Sequence, residues 1–573
     1  MDTEIKKRAE AWLAPEFDEK TREQVKEMLN NNPKELTESF YKQLEFGTGG
    51  LRGLMGVGTN RMNKYTVGMA TQGLVNYLKK QFPNEPLSAA IAYDCRNNSP
   101  FFADVVAGVF SANGIKVYLF ESLRPTPELS FAIRHFKCKT GVMVTASHNP
   151  KEYNGYKAYW DDGAQVTAPH DVNIIDEVNK IKSVKDVKFE PNKDLIVKIG
   201  EEVDKIYIDK LKTLSVSPEA IQKHKDMKIV YTPLHGTGVK LVPEFLKALG
   251  FTNVIHVPEQ DITDGNFPTV VSPNPEESEA LTLALKKAQE QNADLVMATD
   301  PDADRVGIAV RNNKGELQLL NGNQTAAILT YYFLENLSKQ GKLTGKEYIV
   351  KTIVTTNLLT KIAAHYNVEY YDVLTGFKYI AEIIRENEGK KTFICGGEES
   401  YGFLVGDYVR DKDAVVSCGM IAEVAAWATE QGKSLYSLLL DIYAQFGLYQ
   451  ERLLSITKKG KEGVEEIQAM MDNYRKNPPT EIGGSKVVTI CDYLSQKRND
   501  NGKITEIKQP KSNVLQFFTE DGTVVSVRPS GTEPKIKFYF EMRSELGNVN
   551  DYAKKSGELD AKYRNILAEM KLG

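Results

Sequence analysis

Short apolar runs that alternate with helix-like stretches are the feature that most constrains the fold of this 573-residue chain. Between about residues 54 and 310 these runs are predicted strands, and they lie at residues 89–92, 115–119, 141–144, 229–231, 254–257 and 295–298. Similar runs follow at residues 348–354, 369–373 and 392–395. The alternation is typical of α/β domains with largely parallel sheets.

The two ends of the chain have a different pattern. Residues 1–45 are charged and carry Leu, Phe and Trp at three- and four-residue spacing, which predicts helices with a break at residues 30–33. Near the other end, residues 514–518 and 524–527 flank a stretch containing Asp521-Gly522, which predicts a hairpin turn. A charged helical tail follows, so the C-terminal region is predicted to be α+β.

A chain of this length is too long for one hydrophobic core, and its size favours roughly three to five domains. We predict an α/β protein with three consecutive α/β domains of related topology and a C-terminal α+β domain, arranged around a central cleft. The predicted domains are residues 1–204, 205–312, 313–445 and 446–573.

Composition and charge exclude several classes of function. The net charge of -4 gives no electrostatic reason to expect nucleic acid or an anionic membrane as a partner. No uncharged apolar run reaches about 18 residues, and the first residues lack the apolar core of a signal peptide. The five cysteines are scattered and form no C-x-x-C pair, which suits a reducing compartment. We expect a soluble cytoplasmic protein.

The first chemical motif is Thr-Ala-Ser-His-Asn-Pro at residues 145–150, directly after the apolar run 141–144. A polar loop at the carboxyl end of a strand is where α/β folds usually bind ligands. Ser147 is a candidate nucleophile, and it needs a base, a metal or both, because a serine hydroxyl is weak at neutral pH. Taken alone, the segment could equally form only a turn before Pro150.

The second motif is Asp-Pro-Asp-Ala-Asp-Arg at residues 300–305, which also follows an apolar run. Asp300, Asp302 and Asp304 fall on one side of an extended segment, and their charges repel unless a cation lies among them. All-oxygen ligation favours Mg²⁺. An EF-hand loop would need Gly and Glu where Arg305 and Arg311 stand, so calcium binding of that type is excluded.

Three further loops carry weaker signals. Arg528, Ser530, Gly531 and Thr532 follow the run 524–527 and could bind phosphate through a guanidinium fork, hydroxyls and an open backbone. Glu398 and Ser400 lie in Gly-Gly-Glu-Glu-Ser-Tyr-Gly and offer partners for sugar hydroxyls. Thr48 and Arg52 lie in the glycine-dense segment 45–53. No P-loop is present, because Trp427 replaces the first glycine before Gly432-Lys-Ser434.

The Ser147 loop, the aspartate loop, the Glu398 loop and the Arg528 loop, in this chain order and one per predicted domain, resemble the α-D-phosphohexomutase superfamily, and within it the phosphoglucomutase/phosphopentomutase branch. The resemblance covers essentially the whole chain. It implies that Ser147 carries a phosphoryl group and that Asp300, Asp302 and Asp304 bind Mg²⁺ together with an oxygen of that phosphoserine.

The resemblance also assigns the remaining candidate residues. Arg528, Ser530, Gly531 and Thr532 match the loop for the non-reacting phosphate, and Glu398 and Ser400 match the sugar-hydroxyl contacts. Arg52, His148 and Lys157 align with the basic residues around the phosphoserine. Thr48 and Arg305 are further candidate substrate contacts. A further substrate loop contains Gly376 and Lys378.

One position departs from the phosphomannomutase pattern. That branch usually has a histidine four residues after the position of Glu398, and this chain has Gly402. Lys412 resembles the lysine of glucose-type mutases, which favours glucose phosphate. The general acid/base stays open among Lys412, Lys157 and His148.

The implied reaction is the interconversion of glucose 1-phosphate and glucose 6-phosphate through a phosphoserine and a bound glucose 1,6-bisphosphate. Phosphopentomutase or phosphomannomutase activity is the alternative within the superfamily. A metal-dependent serine phosphatase is a further alternative, although the seven histidines have no pair spaced for joint metal ligation. A non-enzymatic sugar-phosphate-binding protein would require the loss of a catalytic part, and Ser147 and the three aspartates are present.

Overall fold

The computed structural model describes residues 3–47, 49–458, 460–530 and 535–572. Its first sheet contains six strands, β1 (Gly50–Leu54), β2 (Ser88–Tyr93), β3 (Lys116–Phe120), β4 (Thr140–Val144), β5 (Tyr153–Trp160) and β6 (Ile196–Ile199). Their order is β1-β5-β4-β2-β3-β6. Strands β4, β2, β3 and β6 run parallel, whereas β5 and β1 are antiparallel to their neighbours.

The second and third sheets repeat this plan. The second contains β7 (Ile229–Thr232), β8 (Val254–His256), β9 (Leu295–Thr299), β10 (Val306–Arg311) and β11 (Leu317–Leu320), in the order β11-β10-β9-β7-β8. The third contains β12 (Glu347–Thr352), β13 (Glu369–Val373), β14 (Thr392–Gly397) and β15 (Phe403–Val405), in the order β13-β12-β14-β15. Each has a parallel centre and at least one antiparallel strand.

The fourth sheet is antiparallel throughout. Its strands are β16 (Leu448–Thr457), β17 (Glu481–Ile482), β18 (Ser485–Asp492), β19 (Lys497–Asp500), β20 (Lys503–Glu506), β21 (Leu515–Thr519), β22 (Val524–Pro529) and β23 (Lys535–Ser544). The order is β16-β23-β22-β21-β18-β19-β20, and β17 pairs with β18. The predicted hairpin turn lies between β21 and β22.

Helices cover the sheets and form the N-terminal region. In chain order they are α1 (Thr3–Ala11), α2 (Glu19–Asn31), α3 (Pro33–Phe40), α4 (Lys64–Gln81), α5 (Ser99–Ala112), α6 (Thr126–His135), α7 (His170–Lys180), α8 (Glu201–Lys212), α9 (Pro218–Lys223), α10 (Gly238–Leu249), α11 (Pro258–Asp261), α12 (Thr282–Gln291), α13 (Gly322–Lys339), α14 (Leu358–His365), α15 (Phe377–Asn387), α16 (Ala414–Glu430), α17 (Leu435–Phe446), α18 (Gly460–Lys476) and α19 (Tyr552–Glu569). Within the described ranges, no helix is long and apolar enough to cross a membrane.

This architecture confirms the predicted fold class of three α/β units and a C-terminal α+β unit. The prediction of largely parallel sheets missed the antiparallel strands β5, β10 and β15. Each returns through a short loop after β4, β9 or β14, and a loop of that length cannot make the crossover that a parallel strand needs. The Ser147 loop, the aspartate loop and the Glu398 loop are these three connections.

Candidate functional site

The Ser147 loop connects β4 to β5 and holds its serine in a constrained backbone conformation. Ser147 is buried and has a φ of 51°, in the left-handed region that few non-glycine residues adopt. Its N–H donates a 2.9 Å hydrogen bond to Thr145 Oγ1. Its Oγ donates to Asp300 Oδ2 at 2.9 Å and lies 3.2 Å from His148 Nδ1. The first and second sheets therefore meet at the candidate nucleophile.

The aspartate loop connects β9 to β10 and gathers three buried carboxylates. One oxygen from each of Asp300, Asp302 and Asp304 lies within 4.8 Å of the others, so the group could hold a metal ion. Among the described atoms, the buried Asp302 Oδ1 and Asp304 Oδ1 have no hydrogen-bond partner. Buried acceptors without donors are costly, and a hard cation would satisfy them. The donor set therefore fits Mg²⁺.

Two lysines supply positive charge to the same loop. Lys157 Nζ on β5 lies 2.7 Å from Asp302 Oδ2 and 3.7 Å from Asp304 Oδ2. Lys412 Nζ lies 3.2 Å from Asp304 Oδ2 and 3.0 Å from Asp411 Oδ1. The sequence argument that only a cation could relieve the aspartates is therefore incomplete, because these ammonium groups relieve part of the repulsion.

The pKa values follow from burial and these neighbours. Burial and the charges of Asp302 and Asp304 raise the pKa of Asp300 well above its usual value. Although burial opposes ionisation, the Lys157 ammonium lowers the pKa of Asp302. Burial lowers the pKa of Lys412, but Asp304 and Asp411 outweigh it and raise that pKa overall. Asp300 thus holds its proton more tightly than Asp302.

The remaining basic candidates surround the Ser147 loop. Arg52 Nη1 on β1 lies 3.4 Å from Asn149 Oδ1. Arg305 Nη1 donates a 2.7 Å hydrogen bond to Glu276 Oε1. Burial, together with the positive charges of Arg305 and Arg52, lowers the pKa of His148 well below its usual value. The surroundings of His148 therefore favour its neutral imidazole over the charged form.

The candidate sugar loop connects β14 to β15 and contacts the other predicted substrate loop. Glu398 is buried, and its Oε1 accepts a 2.9 Å hydrogen bond from the Gly376 N–H. Lys378 Nζ lies over the ring of Tyr379. Lys412 Nζ is 5.3 Å from the centre of the Phe377 ring, which begins α15. The structure therefore brings Glu398, Gly376 and Lys412 to one place.

The candidate phosphate loop begins at Arg528, near the end of β22, and Ser526 on the same strand lines a cavity of about 300 Å³. Ser400 lines this cavity together with Lys537 on β23, and Arg528 faces Lys537 directly across the two strands. The N–H of Ser530 donates to the Lys535 carbonyl at 2.7 Å. Thr48, Gly531 and Thr532 lie outside the described residues.

Sequence reasoning missed several residues that support the site. Thr126, at the start of α6, donates its hydroxyl to Asp302 Oδ2 at 2.9 Å and its N–H to the Asp302 carbonyl. Tyr159 donates to Asp411 Oδ2 at 2.7 Å, beside Lys412. Arg96 lies under the Ser147 loop, just after β2. The position of Arg96 just after a parallel strand was the only feature of the sequence that could have marked it as part of the site.

Four family models cover most of the chain. The models of phosphoglucomutase/phosphomannomutase match residues 43–185 as α/β/α domain I, 205–315 as domain II, 321–446 as domain III and 459–555 as the C-terminal domain. The chain belongs to the phosphoglucomutase/phosphomannomutase family. This result confirms the resemblance to the α-D-phosphohexomutase superfamily. The domain boundaries stay a prediction.

Known relatives of this family member span nearly its full length. A phosphoglucomutase of Staphylococcus haemolyticus (strain JCSC1435) is 38% identical over 529 residues, covering 91% of this chain and 93% of its own. The solved structure of a phosphomannomutase described as putative, from Thermus thermophilus, has a TM-score of 0.68 at 21% identity and covers 92% of this chain and 98% of its own.

A second solved structure shows the same fold. The phosphoglucomutase parafusin from Paramecium, in its open form, has a TM-score of 0.69 at 18% identity. It covers 92% of this chain and 96% of its own. The four-unit architecture is therefore shared at low sequence identity.

Proposed function

We propose that this protein interconverts glucose 1-phosphate and glucose 6-phosphate through a phosphorylated Ser147. The observation that carries the proposal is the 2.9 Å contact between Ser147 Oγ and Asp300 Oδ2, inside a group of three buried carboxylates. The 38% sequence identity with a staphylococcal phosphoglucomutase, over 91% of this chain, supports glucose phosphate as the substrate.

Asp300, Asp302 and Asp304 would hold Mg²⁺, with an oxygen of phosphorylated Ser147 as a further ligand. A phosphoserine carries a charge of about -1.5 to -2, which these aspartates would otherwise repel. Bound Mg²⁺ would supply charge neutralisation at the phosphoryl group. Lys157 forms an ion pair with Asp302, and Lys412 forms one with Asp304.

The proposed cycle consists of two phosphoryl transfers. In the first, the C6 hydroxyl of glucose 1-phosphate attacks the phosphorus of phosphoserine and gives its proton to a base, while the bond to Ser147 Oγ breaks and Oγ takes a proton. In the second, glucose 1,6-bisphosphate has turned over, the Ser147 hydroxyl attacks the C1 phosphate and gives its proton to a base, and the leaving C1 oxygen takes a proton. Glucose 6-phosphate leaves, and Ser147 is phosphorylated again.

Proton transfer in this cycle is assigned to the set Lys412, Lys157 and His148. Each contacts Ser147 or an aspartate of the metal loop. Arg52 lies beside Asn149 on the same loop and is proposed to contact the transferred phosphoryl group. Such positioned acids and bases typically contribute about 10²–10⁴-fold to a rate.

A small set of anchors would recognise the sugar phosphate. We assign the sugar hydroxyls to Glu398 and Ser400 and the non-reacting phosphate to the loop that begins at Arg528. The other proposed substrate contacts are Thr48, Arg305, Gly376, Lys378, Ser530, Gly531 and Thr532. Because both orientations of the bisphosphate must fit, we expect the fourth unit to move away while the intermediate turns.

We place this activity in the cytoplasm and assign small sugar phosphates as its partners. The five cysteines are free, which suits a reducing compartment.

The test is a panel of sugar 1-phosphates with Mg²⁺ and a trace of the matching bisphosphate. Conversion of glucose 1-phosphate to glucose 6-phosphate is the expected result. Turnover of ribose 1-phosphate or mannose 1-phosphate in its place would retain the mechanism and change the substrate. Release of free phosphate without isomerisation would identify a serine phosphatase and contradict the proposal, as would no turnover of any sugar.

A further inference from the structure

Arg96 is a buried arginine whose guanidinium binds the backbone of the Ser147 loop. Only 1% of its surface is exposed. Its Nη2 donates to the carbonyl oxygens of Ser147, at 2.6 Å, and of Asn149. Its Nη1 donates to the carbonyls of Pro150, at 2.9 Å, and Tyr153, at 3.1 Å. One side chain thus binds four carbonyl groups, three in the loop that carries the candidate nucleophile and one at the first residue of β5.

A second set of contacts holds the guanidinium itself. Asp94 Oδ2 lies 3.3 Å from Arg96 Nε and accepts a 2.7 Å hydrogen bond from Thr145 Oγ1. Thr145 Oγ1 in turn accepts the Ser147 N–H at 2.9 Å. Arg96, Asp94 and Thr145 therefore bind Ser147 at both its N–H and its carbonyl, and all are buried.

Residues of the second unit pack against Arg96 and its neighbour Asn97. The ring of Phe267 lies 5.1 Å from the Arg96 guanidinium. Gly265 packs so closely that an added β-carbon would lie 2.3 Å from the Asn97 nitrogen. The arginine is therefore enclosed between the unit that carries Ser147 and the unit that carries the aspartates.

We propose that Arg96 is a positioning residue for phosphoryl transfer, an inference that rests on the proposed function. Because a peptide group is planar and trans, directing the Ser147 carbonyl at Arg96 directs the His148 N–H away from it. The same contacts keep Ser147 in its left-handed conformation, with Oγ at Asp300. Lysine cannot replace this function, since it lacks the planar fork that reaches several carbonyls at once.

The experiment compares Arg96→Lys with Arg61→Lys. Arg61 is also buried, but it lies in the loop between β1 and α4 and donates to the Glu38 carbonyl and to Glu35, both on α3. Thr145→Val is the second variant, since it keeps the shape of the side chain and removes the hydroxyl that links Asp94 to Ser147. Each protein is assayed for kcat and KM with glucose 1-phosphate, for labelling of Ser147 by radiolabelled glucose 1,6-bisphosphate, and for thermal stability.

We expect Arg96→Lys to lower kcat at least about 100-fold and Thr145→Val at least about tenfold, with KM within about threefold, since the sugar anchors are unchanged. Arg61→Lys should retain wild-type kcat. A folded Arg96→Lys or Thr145→Val with kcat within twofold of wild type would overturn the proposal. So would a fall in kcat no larger than that of an equally destabilised Arg61→Lys. A wild-type protein that takes no label at Ser147 would instead contradict the proposed function itself.

Discussion

The side chain of Lys412 occupies the space that a β-carbon at Gly402 would need. Such a carbon would lie 2.1 Å from Lys412 Cδ and 2.8 Å from its Cγ. Gly402 has no left-handed φ, so space and not backbone conformation requires glycine here. The Lys412 side chain passes through this space to place its ammonium group beside Asp304. This contact explains why the position four residues after Glu398 is a glycine.

Gly402→Ala should therefore displace Lys412 and lower kcat by about 10–100-fold, because small misplacements of catalytic groups have effects of that size. Gly557→Ala is the control, since an added β-carbon there meets nothing within 4 Å. The double variant Gly402→Ala/Lys412→Ala should be no slower than Lys412→Ala alone. If the fall in kcat of the double variant equalled the product of the two single falls, Gly402 would affect catalysis independently of Lys412.

Asp300→Asn should stabilise the metal-free protein and remove its stabilisation by Mg²⁺. The pKa of Asp300 is raised by burial and by its neighbouring carboxylates, so its ionised form destabilises the fold. This cost is absent in acid, appears as pH rises above the unfolded value of about 3.9, and is complete above the folded pKa. Asparagine avoids it while keeping an acceptor for the N–H groups of Asp304 and Arg305.

The measurement is thermal melting at pH 8 with chelator and with Mg²⁺. We expect the variant to melt about 2–4 °C higher than wild type in chelator. Mg²⁺ should raise the melting temperature of wild type but not that of Asp300→Asn. The control is Asp294→Asn, at an exposed residue of the same unit. If Mg²⁺ raised the melting temperature of Asp300→Asn as much as that of wild type, the metal assignment would be contradicted.

Glu451→Gln should stabilise the protein at pH 8 but not at pH 4. Glu451 on β16 faces Glu541 directly across to β23, and burial with the Glu541 charge raises the pKa of Glu451 to about 7. Since the folded pKa exceeds the unfolded value, the stability from protonated Glu451 is complete below about pH 4.3 and is lost as pH rises to about 7. Glutamine stays neutral throughout.

The expected gain in the free energy of unfolding at pH 8 is about 1–3 kcal/mol, reduced by solvent at this partly exposed side chain. Denaturation midpoints at the two pH values measure it, with Glu506→Gln on the exposed strand β20 as the control. A gain of equal size at pH 4 and pH 8 would show that the carboxylate pair does not titrate in this range.

The sequence predicted most of what local pattern can encode. Each functional loop follows an apolar run, so the positions of Ser147, Asp300 and Glu398 after strands could be deduced from spacing alone. The break before Pro33 was also correct, since Asn32 caps α3 and Pro33 begins it. The contact of Ser147 with Asp300, in contrast, came only from the family resemblance, since nothing local relates two loops in different sheets.

Long-range contacts escaped the sequence argument. Thr126 and Asp302 are 176 positions apart, and Tyr159 and Asp411 are 252 apart, so no periodicity could relate them. Arg96 stands in an ordinary turn after β2, and only the folded loop reveals the carbonyls it binds. The strand β5 was missed for a different reason: its residues are buried on both faces and lack the alternation that marks a half-buried strand.

The most direct test of the central claim is turnover of glucose 1-phosphate by wild type and by Ser147→Ala, with Mg²⁺ and a trace of glucose 1,6-bisphosphate. We predict rapid formation of glucose 6-phosphate by wild type and none above background by Ser147→Ala, with both proteins melting at similar temperatures. Undiminished turnover by folded Ser147→Ala would contradict the phosphoserine mechanism.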